Sequence, residues 1–84
     1  MKTEKRVHAD LMNLELTRAL EVIGFKILIR MYECPVGTIE VITKKDGLLH
    51  FFFIDRTEKG IADASNYYIL RYGIDRTKFR TISL

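Results

Sequence analysis

The sequence predicts a single α/β domain, with elements in the order α-β-β-β-α-β and a small four-stranded mixed sheet flanked by helices. Two observations lead to this prediction. Apolar residues recur at helical spacing near both ends of the chain, and three strand-like runs follow one another between Gly24 and Thr57. A chain of 84 residues is short for two domains, so residues 1–84 are treated as one unit.

The first predicted helix covers Thr3–Ile23 and ends at Gly24. Glycine directly after the last periodic residue is typical of a helix C-terminus. A stripe of apolar side chains predicts the face that packs on the sheet. Its members are Met12, Leu16, Ala19, Leu20 and Ile23, widened by Leu11, Leu14 and Val22.

Three strands are predicted next, at Phe25–Glu33, Thr38–Thr43 and Leu48–Asp55. The first two alternate with the two-residue repeat of a strand. Proline and glycine form the first connection and Asp46-Gly47 the second, so short turns should make these strands antiparallel. The third run is apolar on both faces, which indicates an internal strand of a sheet that is covered on two sides.

Helical spacing returns after the third strand, and a last strand is predicted at Lys78–Leu84. Gly73 closes the second helix. A β-α-β connection is right-handed and makes its two strands parallel, so the predicted sheet is mixed. The second apolar stripe consists of Ile61, Ala64, Ser65, Tyr68, Ile69 and Tyr72.

Charge and composition exclude several classes of protein. The formal net charge of +3 leans towards an anionic partner but is far from a histone-like excess. Cys34 is the single cysteine, which excludes an internal disulfide and fits a reducing compartment. No apolar run reaches the roughly 18 residues that span a bilayer, and the first ten residues lack the apolar core of a signal peptide. We therefore expect a cytoplasmic protein with no membrane partner.

Four segments carry a family resemblance. They are GFKIL (24–28), GTIEVI (37–42), DG (46–47) and FFFID (51–55). In order and spacing they resemble the YraN-like family of predicted endonucleases, and residues 64–84 resemble the final helix and strand of that family. The resemblance implies a restriction-endonuclease-like core. It also implies a site where acids from two strands and the first helix gather around Mg²⁺ or Mn²⁺ while a lysine positions or activates water.

The chain departs from the family at most of the positions that this chemistry uses. By the resemblance, Asn13 takes the place of the first-helix glutamate and Thr38 that of the glutamate in the second-strand motif. Glu40 replaces the motif aspartate and keeps its charge. Phe53 and Asp55 stand where the family has a Glu-x-Lys pair, so an aromatic ring replaces an acid and an acid replaces the lysine.

Glu40 and Asp55 therefore remain as the candidate catalytic and metal-ligating residues. Two carboxylates are too few for a firm magnesium site. Phe53 is expected to desolvate the space between them. Arg56 is expected to face away, because successive strand residues point to opposite faces unless a bulge intervenes.

Three functions stay open. The favoured one is a catalytically degenerate nuclease-like domain that acts as a binding or assembly module, with a second copy of the chain as one expected partner. The second is nucleic-acid binding through basic residues that contact phosphates. The third is a divergent metal-dependent endonuclease that uses Mg²⁺ or Mn²⁺; otherwise no cofactor is expected, because the chain has no P-loop or dinucleotide glycine pattern. The candidate phosphate contacts are Lys44, Lys45, Arg76, Lys78 and Arg80.

The double-stranded-RNA-binding domain is the competing α-β-β-β-α architecture. That module needs several lysines at the start of its second helix, where this chain has only Lys59. The extra final strand also argues against it. Spacing further indicates that Tyr32, Tyr67, Tyr68 and Tyr72 are core or interface residues rather than base-stacking platforms.

Overall fold

The computed structural model describes residues 4–84, with side chains from Asp10 onward, so the predicted helix start at Thr3 lies outside the described residues. The predicted order α-β-β-β-α-β is confirmed. The helices are α1 (Glu4–Val22) and α2 (Glu58–Tyr72), and the strands are β1 (Lys26–Cys34), β2 (Gly37–Lys45), β3 (Leu48–Phe53) and β4 (Phe79–Ser83). A single 3₁₀ turn at Arg76–Lys78 leads into β4.

The four strands form one mixed sheet in the order β1-β2-β3-β4. The pairs β1–β2 and β2–β3 are antiparallel, whereas β3–β4 is parallel, as the connections predict. Internal β3 carries the Phe51-Phe52-Phe53 run, whose alternating side chains reach both faces. Phe51 and Phe53 belong to the core beneath α2, and Phe52 belongs to a second core beneath α1.

The second helix ends at Gly73 as its sequence predicts, but Tyr72 of the predicted stripe is exposed. Thr57 is the N-cap, and its hydroxyl oxygen accepts the Gly60 N–H at 3.0 Å. Gly73 ends the helix in the left-handed conformation with φ of +65°. Between these ends Ala64, Ser65, Tyr68 and Ile69 are buried.

The predicted packing face of α1 is wrong in part. Leu20 does lie in the core, but Met12 and Ile23 are exposed. The residues that α1 buries against the sheet are instead the polar Asn13 and Thr17. The Asn13 amide donates to the Glu40 carbonyl of the sheet, and the Thr17 hydroxyl donates to the Asn13 carbonyl one turn earlier in α1. Both buried polar groups are therefore satisfied, while much of the apolar stripe faces solvent.

Strand β1 is irregular where it approaches α1. Its register with β2 shifts between Ile27 and Ile29, and Met31 has a positive φ of +52°. Such bulges bend a strand and redirect its side chains. No helix of the described residues is long and apolar enough to cross a membrane.

Candidate functional site

Glu40 lies where β2 separates from β3. The two strands are paired from Val41 with Phe52 up to Lys45 with Leu48, and Glu40 stands one residue beyond this paired segment. At this position the Glu40 side chain, rather than its backbone, connects β2 to the chain that follows β3, because Oε2 accepts the Ile54 N–H at 3.0 Å. The residue is 4% exposed, so a charged carboxylate is held almost entirely away from water.

Arg56 supplies the cation for this buried carboxylate. Its Nε and one terminal nitrogen donate to Glu40 Oε1 at 2.8 and 2.6 Å. The prediction that Arg56 faces away is wrong because β3 ends at Phe53 and Asp55 adopts a left-handed backbone with φ of +53°. Aspartate tolerates this conformation better than most residues. The turn brings the Arg56 side chain back to Glu40.

Asn13 and Arg30 complete the group of polar side chains around Glu40. Asn13 is fully buried, and its Nδ2 donates to the Glu40 carbonyl oxygen at 2.7 Å. The Arg30 Nε in turn donates to Asn13 Oδ1 at 2.8 Å. We call Asn13, Arg30, Glu40 and Arg56 the Glu40 cluster; two guanidinium groups and one carboxylate give it a formal charge of +1. The position that the resemblance assigned to a helix acid therefore does lie beside Glu40, with an amide in its place.

The other two residues singled out at this site lie elsewhere. Phe53 is fully buried in the core beneath α2, so the expectation that its ring fills the space between Glu40 and Asp55 is wrong. Asp55 is exposed, and its N–H donates to the Leu84 carbonyl at 3.1 Å. Among the residues described, no three histidine, cysteine or acidic side chains are grouped to hold a metal ion. A metal shared by Glu40 and Asp55 stays a prediction.

The predicted phosphate contacts lie near one end of the sheet, but three of them have partners within the chain. Lys45 Nζ donates to the Ile23 carbonyl at 2.8 Å and lies 4.7 Å from the Phe25 ring centroid. Arg76 donates to Asn66 Oδ1 at 3.1 Å. Arg80 donates to the Phe79 carbonyl at 2.8 Å.

Two further lysines join Lys44 at this end of the sheet. Lys44 of β2 pairs with Lys26 of β1. Lys26 is not among the predicted phosphate contacts, although the register of the β1–β2 hairpin could have indicated that it lies beside Lys44. On the other side, Lys44 pairs with Leu49 and Leu49 with Phe79, directly after Lys78. Lys26, Lys44 and Lys78 are exposed, so three cations share one end of the sheet.

Three of the four tyrosines pack on one another between β1 and α2. The ring centroids of Tyr32 and Tyr68 are 5.2 Å apart, and those of Tyr68 and Tyr72 are 4.7 Å apart. Burial, and after it the hydroxyl of Tyr72, raises the pKa of Tyr32 to about 12. Burial also raises the pKa of Tyr68. These contacts agree with a structural role for the three rings.

The chain is similar in sequence to a known bacterial protein. No family model matches the sequence. A protein of Campylobacter fetus subsp. fetus (strain 82-40), described as a UPF0102 protein, is 32% identical to this chain in an alignment that covers 62% of it. The aligned region spans 59% of that relative, so only about three fifths of its length is represented here. UPF0102 is the YraN family, and this similarity supports the resemblance drawn from the motifs.

Proposed function

We propose that this chain is a catalytically degenerate nuclease-like domain that acts as a binding or assembly module. The observation that supports this most directly is that both carboxylate oxygens of Glu40 already accept hydrogen bonds from within the chain. Its Oε1 accepts two bonds from Arg56, and its Oε2 accepts the Ile54 N–H. A carboxylate in this state is a structural partner rather than a free ligand.

The donor set around Glu40 does not fit Mg²⁺ or Mn²⁺. These ions take several oxygen ligands in octahedral geometry, and carboxylates supply most of the compensating charge. The Glu40 cluster offers one carboxylate, and the amide oxygen of Asn13 already accepts a bond from Arg30. A cation would have to displace Arg56 from Glu40 Oε1, and it would also share the cluster with the Arg30 guanidinium that is bound to Asn13. Both requirements oppose binding.

We expect no metal-dependent cleavage by the purified chain. Incubation of single- and double-stranded DNA and RNA with Mg²⁺ or Mn²⁺ should give the same products with and without EDTA. Titration calorimetry with Mn²⁺ should show no site tighter than about 1 mM. Glu40→Gln is the matched variant, because it removes the charge and retains the shape. Cleavage that EDTA and Glu40→Gln both abolish would contradict the proposal and revive the endonuclease alternative.

The assembly that we propose is a homodimer through the solvent-facing side of α1. Leu11, Glu15, Arg18 and Val22 follow one another at intervals of four, three and four residues, and all four are exposed. Val22 is 85% exposed although it is aliphatic. This row of four residues, the α1 outer row, lies opposite the Asn13 and Thr17 face that contacts the sheet.

The α1 outer row is complementary to itself. If two copies of α1 cross antiparallel about a two-fold axis, Leu11 meets Val22 of the second copy, and Glu15 meets Arg18. The same contacts repeat on the other side of the axis, as an isologous interface requires. Two aliphatic pairs would then flank two ion pairs. A single helix pair buries less area than a standard interface, so the expected dimer is weak, with a Kd on the order of 10–100 µM.

Charge exchange within the α1 outer row tests this dimer. Arg18→Glu should weaken association at least about tenfold, because two pairs of like charges then face each other. Glu15→Arg should do the same. The double variant with both changes should recover association, since opposite charges again meet. Analytical ultracentrifugation over a concentration series measures each Kd. A double variant that associates no better than the single variants would argue against this pairing.

Nucleic-acid binding is the second candidate, and one observation favours it. The sheet register brings Lys26, Lys44 and Lys78 to the same end of the molecule, where their side chains are exposed. Mobile cations on one surface can neutralise successive phosphates and release counterions. This role is compatible with an inactive Glu40 cluster, because phosphate binding needs no metal.

Salt dependence tests this second candidate. If the three lysines contact phosphates, the plot of log K against log salt for a short DNA duplex should have a slope near −2.7, about −0.9 for each contact. Lys44→Glu combined with Lys78→Glu should make the slope shallower by about 2. Lys59→Glu is the control, because Lys59 lies on α2 and pairs with Asp63. Absence of binding at low salt, or equal effects of the control, would remove the candidate.

A further inference from the structure

A groove between α2 and β4 lies on the opposite side of the sheet from α1. It has a volume of about 410 Å³. Ile61, Ala62 and Ser65 of α2 form one wall, and Phe79 and Thr81 of β4 form the other. Within the described chain β4 is an edge strand, so the groove runs beside a strand with one unpaired side.

Ser65 is an unpartnered polar group in this groove. The residue is 3% exposed, yet its Oγ has no hydrogen-bond partner. Buried hydroxyls normally have one, since the loss of water is otherwise uncompensated. A group with a hydrogen-bond acceptor or donor that enters the groove would supply the missing partner.

The outer edge of β4 presents backbone groups beside the groove. The Leu84 N–H donates to Phe53 O at 2.8 Å, and Leu84 O accepts the Asp55 N–H, so Leu84 faces β3. Because strand residues alternate, Thr81 and Ser83 direct their N–H and C=O groups away from β3. The outward carbonyl of Phe79 is occupied by Arg80, which limits the accessible edge to the second half of the strand.

The opposite edge of the sheet is less suited to pairing. The register of β1 is interrupted between Ile27 and Ile29, and Met31 has a positive φ. Bulges of this kind protect an edge from added strands. The register of β4 with β3, by contrast, is continuous from Phe79 to Ser83.

The charged residues around β4 indicate what kind of segment would bind at this edge of the sheet. Arg76, Lys78 and Arg80 surround the start of β4, so a strand added beside β4 meets cations at this end, where acidic residues would be favoured. Since α2 runs opposite to β4, Glu58 lines the far end of the groove. An extended segment with acidic residues at one end matches this distribution of charge.

We propose that this groove binds an extended, acidic segment of a partner protein by addition of a strand to β4. Backbone hydrogen bonds to Thr81 and Ser83 provide affinity, alternate side chains enter the groove towards Ser65, and the acidic end lies near Lys78. This is the physics by which sheet edges beside helices bind peptides. The inference names a partner class for the proposed binding role, but it uses a different surface from the α1 outer row and stands independently of the dimer.

The test uses a defined probe and amide NMR of the full chain. The probe is a peptide of about nine residues that alternates valine and threonine, with two glutamates placed at either the N- or the C-terminus. A peptide with lysines in place of the glutamates is the control. We expect the acidic peptide to shift the amide resonances of Thr81, Ser83 and Ser65, and the lysine peptide to bind at least about tenfold more weakly.

Two variants separate strand addition from other binding modes. Thr81→Pro removes an outward N–H that the β3–β4 ladder does not use, and it should weaken peptide binding at least about tenfold. Ala62→Tyr fills the groove from an exposed helix position and should also weaken peptide binding at least about tenfold. If Thr81→Pro fails to fold, this second variant tests whether the peptide binds in the groove. The proposal is overturned if neither acidic peptide binds below about 1 mM. It is also overturned if a folded variant binds normally, or if Thr81 and Ser83 shift with protein concentration alone, which would assign the edge to a second copy.

Discussion

Replacing Arg56 by alanine should lower the free energy of unfolding by about 2–3 kcal/mol. This is a larger loss than we expect from neutralising its partner, Glu40. The variant leaves the Glu40 carboxylate buried, and of its two hydrogen-bond partners, Arg56 and the Ile54 N–H, it retains the second. Arg56 itself is partly exposed, which keeps the expected cost below that of a fully buried pair. Urea unfolding followed by circular dichroism measures the difference.

The opposite end of the pair should be less sensitive. Glu40→Gln removes the charge and keeps one oxygen acceptor, but the other oxygen becomes an NH₂ donor that no longer accepts a bond from Ile54 or Arg56. Because the Arg56 side chain is partly exposed and keeps contact with water, we expect a loss of about 1–2 kcal/mol. In the double variant the neutral amide no longer needs a cation, and about 1 kcal/mol of the Arg56→Ala loss should be recovered. Lys59→Ala, which breaks an exposed pair with Asp63, should leave the unfolding midpoint unchanged. Strictly additive losses at Glu40 and Arg56 would contradict the coupling described here.

Phe53→Glu should unfold the domain or cost more than about 4 kcal/mol. This substitution would place at residue 53 the acid that the resemblance implies for this position. The side chain, however, is fully buried in the apolar core beneath α2, where an unpaired carboxylate has no compensating partner. Thermal unfolding of the wild type and the variant measures the effect, and Phe53→Leu, which keeps the position apolar, should cost about 1–2 kcal/mol.

The same variant tests where the position lies relative to the Glu40 cluster. If residue 53 faced Glu40, Phe53→Glu would add a second carboxylate there and create affinity for Mn²⁺. The structure predicts loss of stability without any affinity for Mn²⁺, because the Phe53 side chain lies in the core beneath α2 while the Glu40 carboxylate is bound to Arg56. A folded Phe53→Glu variant that binds Mn²⁺ would show that this assignment of faces is incorrect.

Local chemistry was sufficient to predict the element order and most boundaries. Asp46 and Gly47 have φ of +54° and +77°, the positive values expected of an Asp-Gly hairpin. Gly73 ends α2 in the left-handed region, as a glycine after the last periodic residue should. In each case the decisive interactions lie within a few residues of sequence.

The candidate site depended on contacts that periodicity does not contain. Asn13 faces the sheet because its amide reaches the Glu40 carbonyl, a partner 27 residues away. Arg56 reaches Glu40 because one residue, Asp55, takes a backbone conformation that aspartate only occasionally adopts. A stripe of apolar residues reveals neither contact, which is why the predicted α1 packing face is wrong in part and the predicted orientation of Arg56 is wrong.

The mixed pairing of the sheet also has a kinetic consequence. The strands β1, β2 and β3 are joined by tight turns, so their pairing closes short loops at low entropic cost. The parallel ladder of β3 with β4 can form only after a much longer segment, including α2, has returned across the sheet. We therefore expect the antiparallel three-stranded unit to form first during folding, and β4 to join it last.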